Sequence, residues 1–202
     1  MSNTITSNEA ISLIRQHGGT VQTGEALALG IHPRVLYALR GSGVLEPLAR
    51  GLYRLVDLPA LDNPDLITVA HKVPGGVICL ISALAFHELT TQVPHVVDVA
   101  LQQGDEHPRL AYPPLHVYWF SAISWSAGIE THRLDDTDVR IYVPAKCVAD
   151  AWKFRNKIGL DVALEALRAY RQRPEFDVDV LLRYARICRV ARVMRPYLEA
   201  LL

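Results

Sequence analysis

Apolar positions recur at helical spacing in the first part of the chain and at strand spacing just after it. The first helix is predicted to start at a capping box, Thr6-Ser7-Asn8-Glu9, because the Thr6 and Glu9 side chains each satisfy a free backbone amide. Gly18-Gly19 is expected to end this helix. Residues 44–55 then predict two short strands joined by a turn.

Two further short helices are predicted between those elements. Thr23 is expected to cap a helix over 25–29, and Pro33 stands at the favoured first position of a helix that ends near Gly41. Three short helices followed by two strands around Ala49-Arg50-Gly51 are typical of a winged helix-turn-helix. That fold reads DNA with a helix in the major groove, and its wing suits the DNA backbone or minor groove.

The third helix carries the candidate DNA-reading side. At about 100° per residue, Val35, Leu36 and Leu39 share one side and are expected to pack in the core. The opposite side presents a cation, a phenol and small residues, which suit a groove. The predicted DNA-contacting residues are Thr23, His32, Arg34, Tyr37, Arg40, Arg50 and Arg54. A small three-helix module that binds other proteins is the alternative interpretation.

After a linker with prolines nearby, over 57–63, the pattern changes to mixed strands and helices. Strand candidates lie at Val96–Leu101, Leu115–Phe120, Gly128–Leu134 and Val139–Val143, with a further extended segment at Val77–Ile81. Helices are predicted over Asp65–Lys72 and Ser82–His87, from Pro144 to about Asn156, and from Asp161 onward. The predicted fold class is α+β, with a winged helix-turn-helix over 1–57 and a domain with a small mixed sheet and a helical tail over 64–202.

Arginines stand at every third position from Arg183 to Arg195. In one straight α-helix these five side chains would wind through about 240° and leave no apolar face wide enough to bury. We therefore predict a break near Arg189, with helices over about 177–188 and 190–201. Each of the two helices then keeps one apolar side.

Composition narrows the class of protein. The chain has 202 residues, of which 50% are hydrophobic, and this is enough for two modest domains with a core each. No apolar run predicts a membrane span, and the first residues lack the pattern of a signal peptide. Cys79, Cys147 and Cys188 are widely spaced in apolar surroundings, which favours reduced core thiols in a cytoplasmic protein over a disulfide framework.

A net charge of zero hides an uneven distribution of charge along the chain. Residues 1–58 hold five Lys and Arg against four Asp and Glu, residues 59–138 hold three against ten, and residues 139–202 hold thirteen against seven. The basic last third is a second candidate for phosphate contact. An ordinary solvated helical surface is the alternative interpretation of the same excess.

The sequence contains no familiar catalytic or metal-binding motif. Its eight histidines include no His-Glu-x-x-His, and neither a close Cys pair nor a Gly-rich phosphate loop is found. A nuclease would need clustered carboxylates with a nearby Lys to hold Mg²⁺ and stabilise charge. The strand after Asp98 has no such pattern, and Asp135-Asp136-x-Asp138 is typical of a turn. We therefore expect a protein that is not an enzyme and has no cofactor and no metal site, with a metal-dependent nuclease as the third alternative.

Several stretches resemble one known family. Lys153–Leu167 resembles a signature stretch of the AbiEi antitoxins, which belong to bacterial type IV toxin–antitoxin systems of the abortive-infection class. Ile81–Pro94 and Arg183–Leu198 are similar to the middle and the C-terminal end of that family. The matches to its winged-helix domain are Leu29-Gly30-Ile31, Leu45 and Arg50-Gly51-Leu52-Tyr53.

The resemblance implies a cytoplasmic repressor with a role in phage defence. Its winged helix would bind double-stranded DNA at the promoter of its own operon. Its C-terminal domain would counter a nucleotidyltransferase-like toxin without a stable complex. The basic residues that are candidates for antitoxin activity or secondary phosphate contact are Lys153, Arg155, Lys157, Arg183, Arg186, Arg189 and Arg192. The alternative function is a protein-interaction adaptor that binds an acidic partner, or the toxin, directly.

Overall fold

The computed structural model describes residues 5–201. The chain divides into two compact units. Residues up to Pro74 together with Arg133–Asp138 form unit 1, and Gly75–His132 together with the chain from Val139 form unit 2. Unit 1 therefore extends beyond residue 57, the predicted end of the winged domain, and it also includes a turn from a later part of the chain.

Unit 1 consists of short helices and an antiparallel sheet. In chain order its elements are α1 (Ser7–Gln16), β1 (Thr20–Gln22), α2 (Thr23–Ala28), α3 (Pro33–Gly41), β2 (Leu45–Ala49), β3 (Leu52–Leu55) and α4 (Pro64–Lys72). The three strands lie in the order β1-β3-β2. Three helices followed by a two-stranded wing match the predicted winged helix-turn-helix region.

Local capping explains where the first two helices begin. The Thr6 backbone N–H donates to the Glu9 carboxylate at 2.8 Å, and the Glu9 N–H donates to the Thr6 hydroxyl at 3.4 Å, which confirms the predicted capping box. At α2 the cap lies one residue earlier than predicted, because Gln22 precedes the helix and its N–H donates to Glu25 at 2.6 Å. Thr23 is therefore the first residue of α2 and is not its cap.

Unit 2 combines a mixed sheet with a helical tail, as predicted. In chain order its elements are β4 (Val77–Ile78), α5 (Leu80–Phe86), β5 (Val97–Gln102), β6 (Leu115–Phe120), α6 (Ala122–Ser126), β7 (Ile129–Leu134), β8 (Thr137–Tyr142), α7 (Pro144–Ile158), α8 (Leu160–Arg171), α9 (Val178–Ile187) and α10 (Ala191–Leu201). The strand order is β6-β5-β4-β8-β7, with β5 parallel to β6 and antiparallel to β4. The short β4 is the fifth strand, where the sequence predicts about four strands and an extended segment.

Helix α7 is the centre of the unit 2 core. It packs against α5, α8 and α9, and every residue from Ala145 to Trp152 is buried. Two of these buried residues are charged: Lys146 and Asp150 form an ion pair at 2.5 Å. Because the fold closes around this helix on several sides, its first half has no solvent-facing side.

The tail and the cysteines follow their predictions. Helix α9 ends at Ile187 and α10 begins at Ala191, and between them Arg189 has a φ of +61°, which confirms the predicted break.

All three cysteines are unoxidised and buried, as expected for core thiols. Burial raises the pKa of the thiols at Cys79 and Cys147. Among the described residues, no helix has both the length and the apolar character needed to cross a membrane.

Candidate nucleic-acid interface

Helix α3 is held at its first turn by the histidine that precedes it. His32 is the N-cap residue, and its Nδ1 accepts a hydrogen bond from the backbone N–H of Arg34 at 3.2 Å. Pro33 occupies the first helical position, where a backbone N–H would have no partner within the helix. The missing N–H of proline therefore costs no helical hydrogen bond. This contact leaves Nε2 as the atom of the exposed His32 ring that can meet a partner.

The exposed side of α3 carries residues that the sequence predicts for base readout. Leu36 and Leu39 are 1% and 4% exposed, whereas Tyr37 is 52% exposed. We define the reading face by its exposed residues Arg34, Tyr37, Ala38, Arg40 and Gly41. Within residues 5–201 neither arginine of the reading face forms an ion pair. Unpaired guanidinium donors and a phenol beside small residues suit the donor and acceptor pattern of a major groove.

The turn of the wing is fastened to the start of α2. Gly51 has a φ of +70°, which glycine adopts without strain. Its carbonyl oxygen accepts hydrogen bonds from the Thr23 N–H at 3.0 Å and from the Thr23 hydroxyl at 3.4 Å. The half-buried Thr23 thus positions the wing turn, and the neighbouring Arg50 is exposed at that turn.

Arg54 departs from the predicted interface. It is only 5% exposed, its guanidinium donates to the Pro59 carbonyl oxygen, and it lies 3.8 Å from a Glu46 carboxylate oxygen. In the central strand β3 it stands opposite Thr20 and Glu46 of the two flanking strands. The predicted role of Arg54 is therefore corrected. Its side chain ties the wing strand to the following segment and is not available to a phosphate.

A cation that the sequence analysis missed lies beside the wing turn. The Lys72 Nζ is 4.0 Å from the position that a Cβ would take at Gly51. Burial lowers the pKa of this ammonium, and attraction to Glu25 opposes that shift. No local pattern could reveal this placement, because the sequence assigns α4 to the second domain. The packing of α4 against β2 makes it part of unit 1.

The basic residues predicted on α7 rest on neighbouring groups of unit 2. The Lys153 Nζ lies 5.0 Å from the centre of the Phe120 ring, and the Lys157 Nζ lies 5.8 Å from that of Tyr118. Arg155 donates to the backbone carbonyl oxygen of Trp152 at 2.8 Å. Of the three cations, only Lys157 is exposed, while the other two are half-buried.

The remaining basic candidates form a different group. We define the tail arginines as Arg183, Arg186, Arg189 and Arg192, all of them exposed on α9, on α10 or on the link between them. Arg183 lies over the Tyr184 ring at 5.2 Å. None of the four forms an ion pair with any residue of the described range. The tail arginines are therefore more accessible than the cations of α7.

The acidic stretch near residue 135 forms a hairpin turn, as predicted. It joins β7 to β8, and Arg133 contacts the carboxylates of Asp138 at 2.9 Å and Asp136 at 3.5 Å. Over residues 5–201, the His, Cys, Asp and Glu side chains form no group of three that could hold a metal ion.

Comparison with known proteins identifies the N-terminal region and supports the overall fold. Residues 8–56 match a family described as transcriptional regulator, AbiEi antitoxin. The crystal structure of the RV2827C protein from Mycobacterium tuberculosis is similar in fold, with a TM-score of 0.54 and 13% sequence identity. That similarity covers 94% of this chain and 79% of the other. No curated protein matches this chain.

Proposed function

We propose that this chain, whose residues 8–56 match the AbiEi antitoxin family of transcriptional regulators, represses its own operon by binding promoter DNA. In this proposal the reading face enters the major groove and the wing turn contacts the adjacent backbone. We also propose that the chain is the antitoxin of a cytoplasmic type IV toxin–antitoxin system in phage defence. It opposes a nucleotidyltransferase-like toxin without a stable complex, and the chain itself performs no catalytic step.

The exposure of the α3 cations is the observation that carries the proposal. Arg34 and Arg40 are exposed without ion pairs, while Leu36 and Leu39 anchor the same helix in the core. A guanidinium held in this way reaches base edges without breaking a contact inside the protein. Arginine that binds guanine through two hydrogen bonds discriminates against a wrong base by about 1–3 kcal/mol.

Contacts to the DNA backbone are assigned to the wing. Arg50 is exposed at the wing turn, and the Lys72 ammonium lies next to Gly51 of the same turn. Two cations at one turn provide an anchor for consecutive phosphates, which compensates for the modest charge of the first 58 residues. Phosphate contacts position the protein on the duplex, and the reading face then supplies the sequence preference.

Binding of the full-length protein to a duplex from its own upstream region tests this function. Arg34→Gln should weaken binding to that duplex by about 1–3 kcal/mol and relax the base preference at one position. Arg15→Gln is the matched control, because Arg15 is an exposed arginine of α1 that pairs with Asp57 outside the reading face. Fluorescence anisotropy over a salt series measures both variants against a scrambled duplex.

Equal affinity of the wild-type protein for the upstream and scrambled duplexes at moderate salt would overturn the repressor proposal. An equal loss of affinity in Arg34→Gln and Arg15→Gln would also contradict it, since general charge would then explain the binding. Binding that depends on Arg34 and not on Arg15 supports the assigned face.

The tail arginines and the α7 cations are proposed to extend the DNA footprint or to serve antitoxin activity. Paired neutralisation, such as Arg183→Gln with Arg186→Gln, separates the two roles. Each phosphate contact that is lost should lower the slope of log affinity against log salt by about one. An unchanged slope with lost rescue of toxin-expressing cells assigns the residues to antitoxin activity, and no change in either contradicts both roles.

Co-purification with the product of the neighbouring gene tests the type IV arrangement. The proposal expects rescue of the cells without a stoichiometric complex. A stable complex that is lost with the tail arginines would instead favour a protein-interaction adaptor. Loss of DNA that depends on added Mg²⁺ would favour a nuclease.

A further inference from the structure

A side pocket of about 420 Å³ lies within unit 2, and its lining includes no residue of the reading face or the wing. Its polar side chains come from β5, β6, α7 and the segment before β5: His95, Asp98, His116, Tyr118 and Lys157. Its apolar wall includes Ile81, Val93, Val96 and Ile158. The volume and the mixed lining are typical of a small-molecule site.

Strand pairing brings the acidic and imidazole groups of the pocket together. Asp98 and His116 are register partners in the parallel strands β5 and β6, and Nδ1 of His116 lies 3.4 Å from Oδ1 of Asp98. The other oxygen of Asp98 accepts the Ile81 backbone N–H at 3.0 Å. The Asp98 side chain is only 3% exposed, whereas the His116 side chain is 63% exposed.

The Asp98 carboxylate is occupied by its contacts with Ile81 and His116, whereas the His116 imidazole lines the pocket. Burial raises the pKa of Asp98, and the hydrogen bond from Ile81 and the nearby His116 oppose that rise. With Nδ1 of His116 facing the carboxylate, Nε2 is the ring atom that can meet a ligand. The pocket therefore presents an imidazole that contacts the Asp98 carboxylate through Nδ1 and leaves Nε2 for a ligand.

Lys157 brings a positive charge to the pocket. The Lys157 ammonium lies over the Tyr118 ring and forms no ion pair with any of residues 5–201. The Tyr118 phenol is protonated at neutral pH and can donate a hydrogen bond, and burial raises its pKa further, to about 12. A free ammonium, a phenol and an imidazole beside an apolar wall favour a ligand that is both anionic and apolar.

We propose that the side pocket binds a small planar organic anion, with its flat body against the apolar wall and Tyr118 and its anionic group against Lys157 and His116. The shared chemistry fits an aromatic carboxylate and a mononucleotide, and the two are distinguished by experiment. The proposal concerns only unit 2 and stands independently of DNA binding by the reading face and the wing.

Isothermal titration calorimetry on the full-length protein, with NMR shift mapping, tests the proposal. The probes are adenosine 5′-monophosphate and indole-3-acetate. The controls are adenosine, which lacks the anionic group, and inorganic phosphate, which lacks the planar body. At least one of the two probes should bind more tightly than both controls. It should shift the resonances of residues around Asp98, His116 and Lys157.

Two substitutions locate the binding. Lys157→Gln should weaken the better probe about tenfold or more, because it removes a charge-assisted hydrogen bond. Val93→Glu, which places a carboxylate on a 76% exposed rim residue, should weaken it through repulsion, whereas Val93→Gln should not. Arg168→Gln removes an exposed cation outside the pocket and is the control for general charge.

Tighter binding of the nucleotide identifies a mononucleotide as the ligand class, and tighter binding of the acid identifies an aromatic carboxylate. The proposal is overturned if neither probe binds at millimolar concentration. It is equally overturned if the controls bind as tightly as the probes, or if Lys157→Gln and Arg168→Gln lose affinity equally. Circular dichroism of each variant verifies that its fold is retained.

Discussion

Helix α3 carries two cations and helix α7 carries four, and most of those on α7 are less exposed than those on α3. On α3, Arg34 and Arg40 are exposed without ion pairs. On α7, Lys146 is completely buried, 2.5 Å from Asp150, and the Lys153 ammonium rests over aromatic rings. A high local count of Lys and Arg therefore does not locate an interface, because the more basic helix uses much of its charge inside the fold.

The difference follows from how many sides of each helix are covered. The short helix α3 buries only Leu36 and Leu39, whereas every residue of α7 from Ala145 to Trp152 is buried. Helix α7 contacts α5, α8 and α9, so cations in its first half must find partners in the interior. A buried charge is tolerated only when it is paired and hydrogen-bonded, and Asp150 provides that pairing for Lys146.

The largest expected effect tests the interior pair. Lys146→Met leaves the Asp150 carboxylate buried without its ammonium, and we expect a loss of about 3–5 kcal/mol in the free energy of unfolding. The double variant Lys146→Met with Asp150→Leu should recover most of that loss, since apolar residues of similar size can replace a buried pair. Urea denaturation measures both variants, and equal losses in the two would contradict this account.

The next effect contrasts two arginines of one hairpin. Arg54→Gln should lower the free energy of unfolding by about 1–3 kcal/mol, because it removes the hydrogen bond that the buried Arg54 guanidinium donates to the Pro59 carbonyl oxygen. Arg50→Gln should change stability by less than about 0.5 kcal/mol. It should instead weaken binding to all DNA sequences alike and reduce the salt slope by about one. Thermal unfolding and anisotropy distinguish the two, and a stable Arg54→Gln would refute its structural role.

Burial in unit 2 also holds a histidine neutral, and this gives a smaller, pH-dependent effect. His87 is 8% exposed, and its Nε2 donates to the Tyr142 carbonyl oxygen at 2.8 Å. Burial lowers its pKa below 6.5, aided by His132 and Arg173 and opposed by the hydrogen bond and by Glu130. At pH values below 6.5 the unfolded chain therefore binds a proton at His87 more readily than the folded chain does. The free energy of unfolding should decrease as the pH falls below 6.5.

Melting temperatures at about pH 7.5 and about pH 5.5 measure this effect. His87→Gln keeps an N–H donor for Tyr142 but cannot titrate, so its melting temperature should fall less on acidification than that of the wild type. The half-buried His71, whose pKa is also lowered by burial, remains as background in both proteins. An identical fall in both proteins would exclude His87 as a source of the pH dependence.

The smallest expected effect concerns the cations that lie over aromatic rings. Lys153→Met removes an ammonium that is 5.0 Å from the centre of Phe120 and 5.6 Å from that of Phe154. Cation–π contacts contribute about 0.5–1 kcal/mol at exposed sites and more where they are desolvated, so a loss of about 1 kcal/mol is expected in urea denaturation for this half-buried ammonium. Arg186→Met, at an exposed tail arginine, should be close to neutral. A larger loss at Arg186 than at Lys153 would reverse the proposed division of roles.

Local signals in the sequence predicted many elements correctly. The Thr6 and Glu9 side chains cap α1 as expected, because both partners lie within one helical turn. The break near Arg189 was predictable because an arginine at every third position is incompatible with one buried helix face. The fold class and the family resemblance followed from the same kind of information, which is contained within short segments of the chain.

Short-range patterns in the sequence were sufficient to locate most helices and strands, and to tell which residues of α3 face away from its core. Which polar side chains meet depended on how those elements pack. The sheet buried Arg54, the packing of α4 placed Lys72 beside the wing turn, and the parallel pairing of β5 with β6 brought His116 to Asp98. Capping and periodicity act within a few residues, whereas burial and pairing depend on segments that are distant in the chain.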